Sequence, residues 1–167
     1  ISRRKLLERR KDQGNKSKSS SHIGLDMRYG QIRKYDVANG PGIRTSFFVT
    51  GCDAHCKNCF NTEYMSFSHG DLWTEKETWQ IIENLKRPEI SGLTILGGEP
   101  FENLIDLLAV VKEIRANSDK SIWIFSGFKF EMLSSIPLAR ELLSYCDVLV
   151  DGLFVEELKD LRLKFRG

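Results

Sequence analysis

The sequence predicts an α/β protein built on a mainly parallel sheet that stays open, and three observations carry that expectation. Apolar runs rich in aromatic and β-branched residues recur at positions 43–49, 93–96, 121–125 and 148–150, each of strand length. Helical patterns separate the later runs, and strands alternating with helices mark parallel β–α units. With 167 residues the chain holds too few units to close an eight-stranded barrel, so a partial, open barrel is expected.

Residues 1–26 differ in composition from the rest. Residues 1–22 carry eight basic and two acidic side chains, a net charge of +6; the whole chain is +2, so the remainder is −4. A serine-rich stretch (Ser17, Ser19, Ser20, Ser21) follows the basic one. Such a segment buries too little apolar surface to offset its ordering entropy. It reads as a tail or leader, with a nucleic-acid arm as the functional alternative. Arg3 to Lys11, with Leu6 and Leu7, has the makings of a short helix. The domain proper is expected over 27–167.

Residues 32–37 alternate and read as a short edge strand. Asn39-Gly40-Pro41-Gly42 is a turn by composition and leads into the first core strand at 43–49. Thr74-Glu75-Lys76-Glu77 is a capping box, with Thr at the N-cap and Glu three residues on. Thr78, Ile81, Ile82 and Leu85 continue at helical spacing, and Pro88 ends that helix. The strand at 93–96 runs into Gly97-Gly98-Glu99-Pro100. Leu104, Leu107, Leu108 and Val111 then mark a second helix. The third strand ends at Ser126-Gly127-Phe128. Pro137 divides residues 132–143 into two short helices, and the last strand ends at Asp151-Gly152-Leu153-Phe154. Cys146 reads as a buried core thiol.

The chemistry lies in Gly51-Cys52-Asp53-Ala54-His55-Cys56-Lys57-Asn58-Cys59-Phe60. Three of the four cysteines fall within eight residues, spaced C-x3-C-x2-C. A 4Fe–4S cluster in a purely protein site takes four thiolates. Three on one loop leave one iron open, and an open position is what lets a metal act on a substrate. Structural zinc is the rival, with Cys56 and Cys59 as a pair, Cys52 or His55 as third ligand and His69 or Cys146 as a remote fourth. A Cys56–Cys59 redox pair would leave Cys52 without a role. His55 and His69 otherwise read as solvated loop residues.

Glycines between a strand and a helix admit a ligand close to the backbone and offer N–H groups. A plain strand-to-helix turn uses the same residues. By themselves Glu99 reads as a cap of the helix start and Ser126 as a turn hydroxyl.

The cysteine loop directly after a first strand resembles that of the radical SAM (S-adenosylmethionine) superfamily. Together with Asn39-Gly40-Pro41-Gly42-Ile43-Arg44, Gly97-Gly98-Glu99-Pro100, Asp151-Gly152-Leu153-Phe154 and the short chain, it is similar to the glycyl-radical activating enzymes. Within these it looks most like the activators of anaerobic ribonucleotide reductase. The resemblance covers roughly residues 29–167. It implies a partial barrel of the radical SAM type and a 4Fe–4S cluster on Cys52, Cys56 and Cys59. It implies SAM bound by Asn58, Cys59, Phe60, Gly97, Gly98, Glu99 and Ser126. Many loops of that superfamily carry an aromatic after the second cysteine. This chain has Lys57 there and Phe60 after the third, which directs the adenine to Phe60 and the 58–60 backbone.

The resemblance also places the Asn39–Gly42 turn and Arg44 beside the active site. It implies a glycyl-radical enzyme as partner, the large subunit of anaerobic ribonucleotide reductase, and a flavodoxin or ferredoxin as electron donor. A radical SAM enzyme acting on a small molecule, and a zinc-binding interaction module, are the alternatives. Small-molecule enzymes of the superfamily usually add elements that enclose substrate, and this chain has little left over.

Composition agrees with a globular domain. Hydrophobic residues make up 41% and charged residues 29%, which argues against disorder. No apolar run approaches the roughly 20 residues that span a bilayer, and the first residues lack the apolar segment of a secretory signal. Clustered cysteines without an export signal favour metal over disulfides. The cytoplasm is the expected compartment, with no membrane or nucleic-acid partner.

Overall fold

The computed structural model describes residues 3–6, 25–160 and 162–165. The expectation for residues 7–24 lies outside the described residues. Among the described residues, seven strands form one open sheet: β1 (Arg3–Leu6), β2 (Arg28–Asp36), β3 (Ile43–Val49), β4 (Asp71–Leu72), β5 (Ile90–Gly97), β6 (Ser121–Ser126) and β7 (Val148–Asp151). Their order is β1-β7-β6-β5-β3-β2-β4. The four inner strands β3, β5, β6 and β7 are parallel to one another. Antiparallel strands flank them, β1 on β7 and β2 with β4 on β3. The sheet is therefore mixed α/β with a parallel centre, and it does not close.

Four α-helices connect the parallel strands: α1 (Glu75–Leu85), α2 (Leu104–Asn117), α3 (Phe130–Ser135) and α4 (Pro137–Tyr145). The capping box forms at α1, where the Thr74 hydroxyl accepts from the Lys76 N–H and the Glu77 carboxylate accepts from the Thr74 N–H at 2.9 Å. Ile81, Ile82, Leu107, Val111 and Leu142 of the helices join Phe47, Leu93, Ile95, Ile124 and Leu149 of the strands in one core. The alternate strand residues form two small clusters without α-helical members, Phe48 and Leu96 with Tyr64 of the 3-10 turn at 62–64 in one and Trp123, Val148 and Val150 in the other. Period-two alternation thus assigns one sheet face to the helices and leaves the other without them.

Three expectations change. Arg3–Leu6 is a strand and not the start of a helix. It pairs antiparallel with β7, Arg3 opposite Asp151 and Leu6 opposite Val148, so the available β7 edge overrides local propensity. The edge strand at 32–37 is longer, beginning at Arg28, and β4 rather than β2 is outermost. The Asn39–Gly42 turn leads into β3 at the end opposite the cysteine loop, and a seven-residue strand separates the two by roughly 20 Å. The turn and Arg44 are structural. Thr94 Oγ1 donates to the Asn39 carbonyl at 2.8 Å. Arg44, almost fully buried, donates to Thr94 Oγ1, the Leu93 carbonyl, and the Ser121 hydroxyl and carbonyl.

Candidate metal centre

The cysteine loop leaves the C-terminal end of β3, the end at which open parallel sheets bind ligands. Its first residues are held by backbone bonds, Gly51 N–H to the Tyr64 carbonyl and Cys52 N–H to the Met65 carbonyl, both 2.9 Å. A turn closes on Cys56, whose carbonyl accepts from the Cys59 N–H at 3.2 Å. His55 and Asn58 adopt left-handed backbone, with φ 45° and 53°. Asn populates that region more readily than most residues.

Cys52, Cys56 and Cys59 are free and half-buried. Cys59 Sγ accepts from the Asn61 N–H at 3.4 Å. Burial pushes the Cys52 thiol upward, a hydrogen bond from the Ala54 backbone N–H pulls against it, and the neighbouring Glu99, Glu102 and Cys56 add smaller upward pushes. Cation charge is what drives such a thiol to thiolate. Among the described residues no three Cys, His, Asp or Glu side chains converge into a finished ligand set. The donors nonetheless fit an iron–sulfur cluster. They are three soft sulfur ligands on one loop, and two of them face an open cleft.

That cleft holds about 190 Å³ and is lined by Cys52, Cys56, Gly97, Glu99, Ser126 and Phe154, among others. The resemblance named seven cofactor contacts, and the structure divides them. Gly97, Glu99 and Ser126 line the cleft together with the two cysteines. Gly98 is adjacent but faces protein. A Cβ there would meet the Gly51 carbonyl oxygen at 2.5 Å and that of Tyr64 at 2.7 Å. The N–H groups of Gly98 and Glu99 are already used, on the Val49 and Gly51 carbonyls at 2.8 Å. The glycine pair therefore serves close approach of the cysteine loop to the end of β5, and these two N–H groups are not open to a ligand. Asn58 turns its amide to Glu156. Cys59 and Phe60 do not line the cleft. Phe60 is 69% exposed and packs on Phe154, ring centroids 5.3 Å apart.

Glu99 is 3% exposed. Its Oε1 accepts from the Phe101 N–H at 3.0 Å and from the Ser126 hydroxyl at 2.9 Å, and its Oε2 accepts from the Gly127 N–H at 2.8 Å. Burial raises its carboxyl to about 7, against the pull of these three donors. Glu99 thus caps the short turn before α2, and its acceptor capacity toward the cleft is what remains at Oε2. Ser126 spends its proton on Glu99 and accepts from the Phe128 N–H at 3.0 Å.

Asn61 escaped the sequence reading. It lines the cleft, and its amide donates to the Gly97 carbonyl at 3.1 Å, tying the cysteine loop to the end of β5. Its position two residues after Cys59 was the only signal. Asn103 works in parallel, donating to the Thr50 carbonyl at 3.0 Å. Asp151 accepts from the Phe130 N–H at 2.8 Å and anchors the start of α3. Cys146 is fully buried and stands apart from the cleft, as expected.

Comparison with known proteins agrees with this arrangement. Residues 38–167 match the model of a family described as a 4Fe-4S single cluster domain. The anaerobic ribonucleoside-triphosphate reductase-activating protein of Haemophilus influenzae is 40% identical over 146 residues, covering 84% of this chain and 93% of that protein. The protein of the same name from Pasteurella multocida is 38% identical over 146 residues, with 84% and 92% covered. The one from Enterobacteria phage T4 is 34% identical over 144 residues, with 84% and 89% covered. No helix among the described residues is long and apolar enough to cross a membrane. The three-cysteine loop, the cleft beside it and these matches place the chain in the family of anaerobic ribonucleoside-triphosphate reductase-activating proteins, with a 4Fe-4S single cluster domain.

Proposed function

We propose that this chain activates an anaerobic ribonucleoside-triphosphate reductase by generating a glycyl radical on it, as a radical SAM enzyme with Cys52, Cys56 and Cys59 as cluster ligands. The observation that carries this is the loop of three free thiols at the C-terminal end of the parallel strands, beside a cleft that also presents Glu99. Held by Cys52, Cys56 and Cys59, the cluster would supply the electron for reductive cleavage of SAM, the chemistry by which a hydrogen atom would be taken from a glycine of the partner.

The residues of the chain bind and orient. Cys52 and Cys56 face the cleft from the loop, and Cys59 completes the donor set. Glu99, held by three donors, presents Oε2 to a methionyl ammonium group, and Gly97 allows that group close to the backbone. Ser126 contributes through Glu99, because its proton is already committed. Phe60 with Phe154 offers an aromatic rim for adenine. Gly98 and Asn58 act on the loop and not on SAM. The open sheet, read as a partial barrel of the radical SAM type, leaves a side through which a protein segment can reach the cleft. The reading includes a flavodoxin or ferredoxin as electron donor, and the cytoplasm as compartment.

The test is anaerobic reconstitution with iron and sulfide, followed by electron paramagnetic resonance of the reduced protein with and without SAM. The expected result is a 4Fe–4S signal that changes on adding SAM, then a glycyl radical on the reductase after mixing. Stoichiometric zinc without iron, or a cluster indifferent to SAM, overturns the proposal.

A further inference from the structure

The second half of the cysteine loop is fastened to the segment that follows β7. Asn58 Nδ2 donates to both carboxylate oxygens of Glu156 at 2.6 Å. Lys57 Nζ lies 3.7 Å from Glu156 and 3.6 Å from Glu157. The Phe60 ring packs on Phe154, and Lys159 Nζ sits 4.5 Å from the Phe60 ring centroid. Every contact joins residues 57–60 to residues 154–159, nearly a hundred positions away.

β7 already ends at Asp151, so the sheet does not need these contacts. They act on the loop. Asn58 stands between Cys56 and Cys59 in a left-handed conformation, and its amide is the group that Glu156 holds. The same segment carries Leu153 and Phe154, which line the cleft together with Cys52 and Cys56. Exposed ion pairs alone hold little, and Lys57 is 74% exposed. The Asn58–Glu156 bond is also at the surface, but it is directional and charge-assisted, and the Phe60–Phe154 ring pair seconds it.

We propose that Glu156 is a positioning residue for the cysteine loop. By holding Asn58 and Lys57 it sets the backbone between Cys56 and Cys59 and keeps residues 153–159 strapped along the cleft. Its importance for activity rests on the cluster assignment made above, but its effect on the loop does not.

The test therefore begins without iron. The apo chain is treated anaerobically with iodoacetamide at fixed pH, and alkylation of each cysteine is followed by peptide mass spectrometry. Cys146, fully buried, is the internal reporter of unfolding. Glu156→Ala removes the acceptor, whereas Glu156→Gln keeps an amide oxygen for Asn58 and drops only the charge. In Glu156→Ala, alkylation of Cys52, Cys56 and Cys59 is expected to rise about fivefold, the factor set by losing one modest hydrogen bond, with Cys146 silent. Glu156→Gln is expected near the unmodified rate. Three unchanged rates in Glu156→Ala overturn the proposal. A rise matched by Cys146 also overturns it, because Glu156 would then act on global stability. An equal rise in Glu156→Gln overturns it too, because the effect would be of charge on the thiols. After reconstitution, Glu156→Ala is expected to lose iron to a chelator several-fold faster than Glu156→Gln. Failure of every variant to take up iron counts against the cluster and leaves the thiol result standing.

Discussion

The hydroxyl of Ser126, at the end of β6, donates to Glu99 Oε1 at 2.9 Å, at the end of β5. With the Gly127 N–H on Oε2, this pair joins two strand ends at the edge of the cleft through one buried carboxylate. Among the described residues its hydrogen-bond partners are neutral donors, the Phe101 and Gly127 N–H groups and the Ser126 hydroxyl. Burial wins over hydrogen bonding and raises the group to about 7 from 4.5.

Stability should therefore depend on pH in a defined window. A carboxyl raised in the folded state binds its proton more tightly there than in the unfolded chain, so stability is greatest while it is protonated. Its contribution is fully present below about pH 4.5 and is lost as pH rises through about 7, by about 3 kcal/mol in total. Urea denaturation of the apo chain at several pH values should show that decline. Glu99→Gln, which cannot titrate, should flatten the profile across the same window. A slope unchanged in Glu99→Gln would place the titrating group elsewhere.

Gly98 and Gly127, on either side of Glu99, should differ in their tolerance of alanine. At Gly98 a Cβ meets backbone oxygens at 2.5 and 2.7 Å, and backbone cannot step aside. Gly98→Ala should cost about 2 kcal/mol or more and loosen the cysteine loop. At Gly127 the nearest atom is Leu153 Cδ2 at 3.0 Å, the tip of a flexible side chain. Gly127→Ala should cost less than about 1 kcal/mol. Equal losses in urea denaturation would mean that the approach of β5 to the loop is not what demands Gly98.

What could be read from the sequence was local. The box at Thr74 and Glu77 needs only three residues of spacing, and the cysteine loop declares itself within eight. The four inner strands carry their own apolar runs. What could not be read was non-local. The bond between Asn58 and Glu156, the one between Asn61 and Gly97, and the partners of Arg44 all depend on strand order and register, which no single segment encodes. The placement of the Asn39–Gly42 turn failed for the same reason. Motifs adjacent in sequence to β3 lie at its two ends, and strand length separates what chain distance suggests is close. Arg3–Leu6 shows tertiary override, since its pairing is decided by the β7 edge.

Arg44 offers a test of that separation. It spans β3, β5 and β6 through Thr94, Leu93 and Ser121, and burial lowers its guanidinium to about 10. Arg44→Met should cost about 3 kcal/mol, because acceptors lose a charged donor inside the protein. Arg44→Lys should recover only part, since one ammonium cannot reproduce the planar fork. Chemical denaturation measures both. Iron content and the SAM response of reconstituted Arg44→Lys should match the unmodified chain. A selective loss of the SAM response would return Arg44 to the active site.

The four cysteines should divide three to one. Cys52, Cys56 and Cys59 are half-buried on one loop, while Cys146 is fully buried, its thiol pushed up to about 12 by burial. Replacing any one of the first three with Ala leaves two thiolates, and iron bound after anaerobic reconstitution should fall at least severalfold, because the sulfur ligands hold the cluster. SAM cleavage to methionine should vanish with it. Cys146→Ala should keep the full iron content and the SAM-dependent signal, since a protonated thiol inside the core is no ligand. It should cost about 1 kcal/mol of stability for the small cavity left against Leu142. Iron analysis of the four single variants decides the matter. A Cys146→Ala protein depleted of iron would bring the distant thiol into the metal site and favour a four-ligand closed centre. A Cys59→Ala protein with full iron would remove the third donor and with it the open iron position that the proposed chemistry requires.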